Sequence, residues 1–210
     1  MPDEIYTPDN LLAGSEFPAV TKAYTLLSGE NRKRGTVLGA VSVVLGAVAA
    51  AANTGNGTCT LAALKKSTKV GDYIVTCVAT AVNGGIFSVV NPEGRRLKDA
   101  VMGAYATDEI GFTLTDGATD FAVGDSFTIP VTAGSGKLKM VDKSAVDGSQ
   151  NAKTVLAFDC DASLADAKCA GYETGIFNKN AVILAEGTVA ADVEDALRAR
   201  GIFLRDMRTL

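Results

Sequence analysis

Carboxylates are the first residues to weigh for chemistry. Asp116, Asp120 and Asp125 crowd one short stretch, Asp116-Gly117-Ala118-Thr119-Asp120 followed by Asp125, and in principle could surround a cation. They lack the alternating acids and terminal Glu of an EF-hand, and the glycine-aspartate nonapeptide of calcium-binding β-rolls. Asp-Gly between two strands is instead hairpin-turn chemistry, which is the expectation here. Asp159 and Asp161 flank Cys160 and would project from one face of a strand, as a paired acid and base would. With no third ligand near them in sequence, a solvated strand end is expected. Gly55-Asn56-Gly57 and Gly134-Ser135-Gly136 fit neither the dinucleotide fingerprint nor a phosphate loop, and both read as linkers.

Composition removes further chemistries. The 210 residues include no histidine, which takes away the commonest general base, the commonest metal ligand and the usual Ser or Cys triad. Tryptophan is absent and aromatics make up 6%, which argues against stacked-aromatic grooves for single-stranded nucleic acid. Net charge is −4, and Arg32-Lys33-Arg34 reads as a solvated strand entrance or a contact for an acidic protein, so no nucleic-acid partner is expected. Cys59, Cys77, Cys160 and Cys169 form no C-x-x-C pair; with a core this size available, free and mostly buried thiols are expected. No catalytic, cofactor-binding or metal-binding residue is assigned, and the chain is expected not to be an enzyme.

Targeting signals are equally sparse. The acidic Met-Pro-Asp-Glu start is unlike a secretory leader. The uncharged stretch from Val37 to Ala52 is short for a membrane span and carries Gly39, Ser42 and Gly46. Synthesis in a reducing cytoplasm and no membrane contact are expected.

The elements that must position these residues are mainly strands. Residues 1–24 hold Pro2, Pro8 and Pro18 and show no clean period, so they read as an extended arm. Its large apolar side chains, Leu11, Leu12, Phe17 and Val20, are the candidate anchors on a partner. Strand chemistry begins at Thr25. Between the two glycine-rich linkers, Tyr73, Val75 and Cys77 alternate with Ile74, Thr76 and Val78; Ile86 to Val90 is a short strand closed by the turn Asn91-Pro92-Glu93-Gly94. Glu109 to Thr115 places Phe112 and Leu114 on one face, and Ser126 to Val131 turns Phe127, Ile129 and Val131 inward. Pro130 within that last run predicts an edge strand, where a missing donor is tolerated. Further on, Thr154 to Phe158, Ala181 to Ala185 and Ile202 to Leu204 read as strands. Ala190 to Arg200 reads as a helix with early acids, late arginines and Gly201 beyond its end. The predicted class is mainly β with minor α. Residues 25–52 and 137–210 form a discontinuous base domain, interrupted by a small β-sandwich or barrel module over 58–133.

One ordered set of motifs carries a resemblance. Ser28-Gly29-Glu30 and Arg34-Gly35-Thr36-Val37-Leu38-Gly39 precede Gly55-Asn56-Gly57. Gly71-Asp72-Tyr73, Phe87-Ser88-Val89, Pro92-Glu93-Gly94 and Gly124-Asp125-Ser126-Phe127 follow. Gly134-Ser135-Gly136-Lys137, Asp147-Gly148-Ser149-Gln150 and Leu197-Arg198-Ala199-Arg200-Gly201-Ile202 complete the series. In that order they resemble the longer members of the lambda-type bacteriophage head decoration protein family, over nearly the whole chain from Thr25. The resemblance implies a decoration-type base and a structural protein of the virion. It also implies binding to the major capsid protein on the outer surface of the mature icosahedral head, as homotrimers that stabilise it. The competing expectation is a capsid-displayed module that binds a host surface or carbohydrate, which the low aromatic content disfavours.

Overall fold

The computed structural model describes residues 10–207, which fall into two compact units. One joins the chain up to Val41 with the chain from Gly136, and the other spans Ser42–Ser135. The first flank holds β1 (Val20–Leu26), β2 (Glu30–Arg32) and β3 (Val37–Ala40). The inserted unit holds β4 (Val43–Leu45), β5 (Ala49–Ala50), β6 (Thr58–Leu64), β7 (Gly71–Ala81), β8 (Gly84–Val90), β9 (Gly103–Ala106), β10 (Ile110–Thr115) and β11 (Ser126–Ala133). The second flank holds β12 (Leu138–Met140), β13 (Ala152–Leu156), β14 (Cys160–Ala162), β15 (Ala167–Asn178), α1 (Ala190–Arg198) and β16 (Ile202–Arg205).

In the first unit the pairings run β1–β12–β3–β13–β15 and return from β15 to β1, so five strands close a ring with no free edge among them. A leucine from each of four ring strands, Leu26, Leu138, Leu38 and Leu156, meets in one cluster with Cys160 and Cys169 packed against it. Their sequence neighbours point the other way, as period-2 alternation requires. Val37 and Val155 join Tyr172, Phe177 and Ile202 in a second cluster, closed by Val193 and Leu197 of α1. That helix starts on a half capping box, in which Val189 N–H donates to the Asp192 carboxylate at 2.8 Å. It ends before Gly201, whose φ of +82° lets the chain turn directly into β16.

In the inserted unit β4 and β5 flank β11, which pairs with β7 and through it with β8; β6, β10 and β9 form a second sheet. Tyr73, Val75, Phe87, Val89, Phe127 and Ile129 from the first sheet share one core with Cys59, Tyr105, Ile110, Phe112 and Leu114 from the second. This is the build of a small sandwich or barrel. Phe121 seals one end, edge-on to both Phe87 and Phe127 at 5.1 and 5.8 Å.

Several sequence expectations change here. Pro130 sits in an interior strand, between β7 and the β4–β5 side. Its carbonyl accepts from Gly46 N–H at 2.8 Å, and in an antiparallel strand the N–H of a residue points to the same side as its carbonyl. The missing donor therefore faces the break between β4 and β5. Residues 43–50, expected with the flanking piece, pair with β11 and belong to the module's sheet. Val20 to Tyr24, expected in the arm, already lie in β1 against β15. Asp116-Gly117 is no hairpin: β10 and β11 lie in different sheets, and residues 116–125 cross between them. Residues 181–185 supply one bridge, Ile183 with Thr36, and no strand. β15, the longest strand, has no counterpart in the sequence reading.

Candidate interaction surface

The segment from Leu11 to Pro18 lies along the C-terminal half of β15. Asn178 N–H donates to the Leu11 carbonyl at 2.8 Å, Ala13 N–H donates to Ile176 at 2.9 Å, and Leu12 is bridged to Phe177. On its other side the same stretch of β15 pairs in parallel with β16. Farther along, the Thr174 hydroxyl donates to the Pro18 carbonyl at 2.7 Å and accepts from Val20 N–H at 3.2 Å. Two bridging bonds from one side chain fix the entry into β1.

This docking sorts the four candidate anchors. Leu11 is 3% exposed and packs in the core with Phe177, Val193 and Leu197, so its side chain is consumed by the fold. Leu12, Phe17 and Val20 keep 38%, 38% and 49% of their surface exposed. Phe17 rests edge-on against Phe203 of β16 at 5.5 Å, so an aromatic pair stands at the surface beside the docked segment. Three apolar side chains are thus exposed on a segment already ordered by backbone hydrogen bonds. Residues 1–9 of the predicted arm lie outside the described residues.

The other residues singled out in the sequence have local work. Asp159 accepts from the Lys33 ammonium and from Arg34 N–H, both at 2.8 Å, which holds its carboxyl below the usual range. Asp161 accepts from Ser163 N–H at 2.9 Å, so the two acids have separate partners. Arg32 bonds Glu30 within β2. Cys59 and Cys77 are buried thiols, and Cys160 and Cys169 half-buried ones. Burial pushes Cys59 up to about 11; burial, with the neighbouring Cys160, does the same for Cys169. Among the described residues no group of three or more His, Cys, Asp or Glu is placed to hold a metal ion, and no helix is long and apolar enough to cross a membrane.

Two carboxylates organise the inserted unit in roles that the sequence reading does not assign to them. Asp125 accepts backbone N–H bonds from Thr54, Gly55 and Ala122, at 2.8, 2.8 and 2.9 Å, tying the Asn53–Gly57 turn to the start of β11. Glu109, 4% exposed, receives the Tyr73 hydroxyl at 3.3 Å, the Asn91 amide at 3.1 Å and the Arg95 guanidinium. Neither role is legible locally, because each reaches partners far along the chain.

Comparison with known proteins adds the family. A family model described as bacteriophage lambda head decoration protein D matches residues 3–202. No curated protein matches the sequence. Two crystal structures of Xanthomonas campestris FlgL, in space groups H3 and C2, align with 51% of this chain at 22% and 20% identity and a TM-score of 0.32. The chain spans about a third of either of them, 34% and 33%.

Proposed function

The chain belongs to the bacteriophage lambda head decoration protein family, and on that premise we propose that it is a non-enzymatic capsid decoration protein. It binds the major capsid protein on the outer surface of the mature icosahedral head, as homotrimers, after synthesis in the host cytoplasm. The contact runs through the strip of Leu12, Phe17 and Val20 together with residues 1–9. The observation that supports this reading is the N-terminal segment itself, strapped to β15 by backbone bonds while three large apolar side chains face outward. Copies repeated over a lattice gain from multivalency, so modest affinity at each site holds the whole layer in place.

Co-sedimentation with purified expanded heads tests the proposal. The full chain is expected to pellet with heads. A variant lacking residues 1–9 and carrying Leu12→Ser, Phe17→Ser and Val20→Ser is expected to stay in the supernatant while still melting cooperatively, at a temperature lowered by only a few degrees. Undiminished binding by that variant overturns the contact strip, and failure of the full chain to bind heads overturns the function. A chain that is monomeric both in solution and on heads overturns the trimer.

A further inference from the structure

A second surface, on the inserted unit, is built for anions. Three connections converge there: residues 65–70 between β6 and β7, residues 91–102 between β8 and β9, and residues 107–109 before β10. They border two adjoining open clefts of about 400 and 450 Å³, which share Ser67, Thr107 and Asp108. Arg95, Arg96 and Lys98 line the first cleft, and Lys65 and Lys66 the second. Five cations thus crowd one end of a small unit in a chain whose net charge is −4. Sequence inspection misses them because Lys65-Lys66 and Arg95-Arg96-Leu97-Lys98 lie some thirty residues apart.

The clefts are held rigidly from below. The Thr68 hydroxyl accepts from Lys65 N–H at 2.7 Å and lies 2.8 and 2.6 Å from the Lys65 and Glu109 carbonyls, and Ser67 N–H donates to Asp108 at 3.1 Å, so the first connection is pinned to the third. Buried Glu109 joins the second through Asn91 and Arg95. The Asn91 carbonyl oxygen of the side chain also accepts from Glu93 and Arg95 N–H. Arg95 gives one guanidinium nitrogen to Glu109 yet is largely exposed, which leaves donors facing the cleft. Arg96 is paired with Asp99, while the ammonium groups of Lys65, Lys66 and Lys98 have no carboxylate within ion-pair distance among the described residues. The acids there are Asp108, Asp99 paired with Arg96, and Glu109 committed to Arg95, while Glu93 is matched by Lys69, so the local balance stays positive.

We propose that these clefts bind acidic polysaccharide, with Lys65, Lys66, Lys98 and Arg95 engaging carboxylate, sulfate or phosphate groups on successive sugars and the Ser67 and Thr107 hydroxyls engaging neighbouring sugar oxygens. Charge-assisted hydrogen bonds supply the affinity here without the aromatic platforms that neutral sugars need. Each cleft falls in the volume range of small-ligand sites and has room for a sugar residue. No aromatic side chain lines either cleft, so the stacking that single-stranded nucleic acid requires is missing there.

The test uses the full chain and immobilised probes: polygalacturonate for uronates, dextran sulfate for sulfate esters, unmodified dextran, and a DNA duplex. The triple variant Lys65→Gln, Lys66→Gln, Lys98→Gln is compared with a charge-matched triple on the other unit, Lys22→Gln, Lys33→Gln, Lys179→Gln. The expected result is salt-sensitive binding to one or both acidic polysaccharides and none to dextran. Affinity should fall roughly tenfold or more in the cleft variant and hold in the control. No binding to either acidic polysaccharide, equal loss in the two triples, or tighter binding to duplex DNA each overturns the proposal. Head binding is read separately, so failure here leaves the decoration function standing.

Discussion

Gly46 lies against the ring of Pro130. Its N–H donates to the Pro130 carbonyl at 2.8 Å, and a Cβ at Gly46 would stand 2.9 Å from Pro130 Cγ and 3.3 Å from that carbonyl. The interior proline and the adjacent glycine are one feature: the ring occupies the gap where β4 has ended and β5 has not begun. Gly46→Ala is therefore expected to lower stability by about 1–3 kcal/mol, the usual cost of overpacking. The double variant Gly46→Ala, Pro130→Ala should recover part of that loss. Urea melts of the three variants supply the coupling directly, and additive losses would show that the two residues are independent.

The same pair marks where sequence reasoning succeeds and where it fails. Phe127, Ile129 and Val131 are legible because each buries into a single core, so period-2 alternation survives intact. The strand's interior place is not legible, because a proline reports a missing donor without reporting which neighbour has broken off. β15 hides for another reason. Gly171 and Gly175 interrupt its pattern, and at Gly171 a side chain would meet Thr154 Cγ2 at 3.0 Å and Tyr24 Cδ2 at 3.1 Å. Its burial also follows no two-residue alternation, and its C-terminal four residues are all buried, so no period-2 signal reaches the sequence. The proposed contact strip is half legible: the apolar residues stand out, but only packing separates Leu11 from Leu12.

That separation is itself testable. Leu11→Ala removes a side chain from the core beside Phe177, Val193 and Leu197, and should cost about 2–5 kcal/mol. Leu12→Ser and Val20→Ser should change stability by about 0.5 kcal/mol or less, as surface substitutions do. Phe17→Ser should cost about 0.5–1.5 kcal/mol through loss of the Phe203 contact. Denaturant midpoints decide the matter; equal costs at Leu11 and Leu12 would contradict the docking described.

The four thiols should sort by depth. Cys59 and Cys77 lie inside the module core, whereas Cys160 and Cys169 are half-buried. Thiolates are the reactive species, and burial disfavours them at all four sites. An aromatic disulfide reagent at neutral pH should label Cys160 and Cys169 slowly, and Cys59 and Cys77 only after unfolding. Reductant should leave the melting temperature unchanged. A fall of several degrees would reveal a crosslink that the structure does not contain.

Asp125 should make the inserted unit acid-sensitive. Burial alone would raise its pKa, but the N–H groups of Ala122, Thr54 and Gly55 outweigh burial and hold it below the ordinary value of 3.8. A carboxyl whose folded value is depressed contributes stability that is fully present above the unfolded value and is lost as pH falls through the folded one. The Asp125 contribution should therefore be complete above about pH 5 and decay below 3.8. Asp125→Ala orphans three backbone donors and should cost about 2–4 kcal/mol at neutral pH. Asp125→Asn keeps one acceptor oxygen, so it should cost less while removing this acid dependence. Urea midpoints from pH 7 to pH 2.5 test both statements. An Asn variant that loses stability in acid as steeply as the native chain would assign the acid sensitivity to other carboxylates. If Asp125 is responsible, the two curves should converge as the native carboxylate takes up its proton.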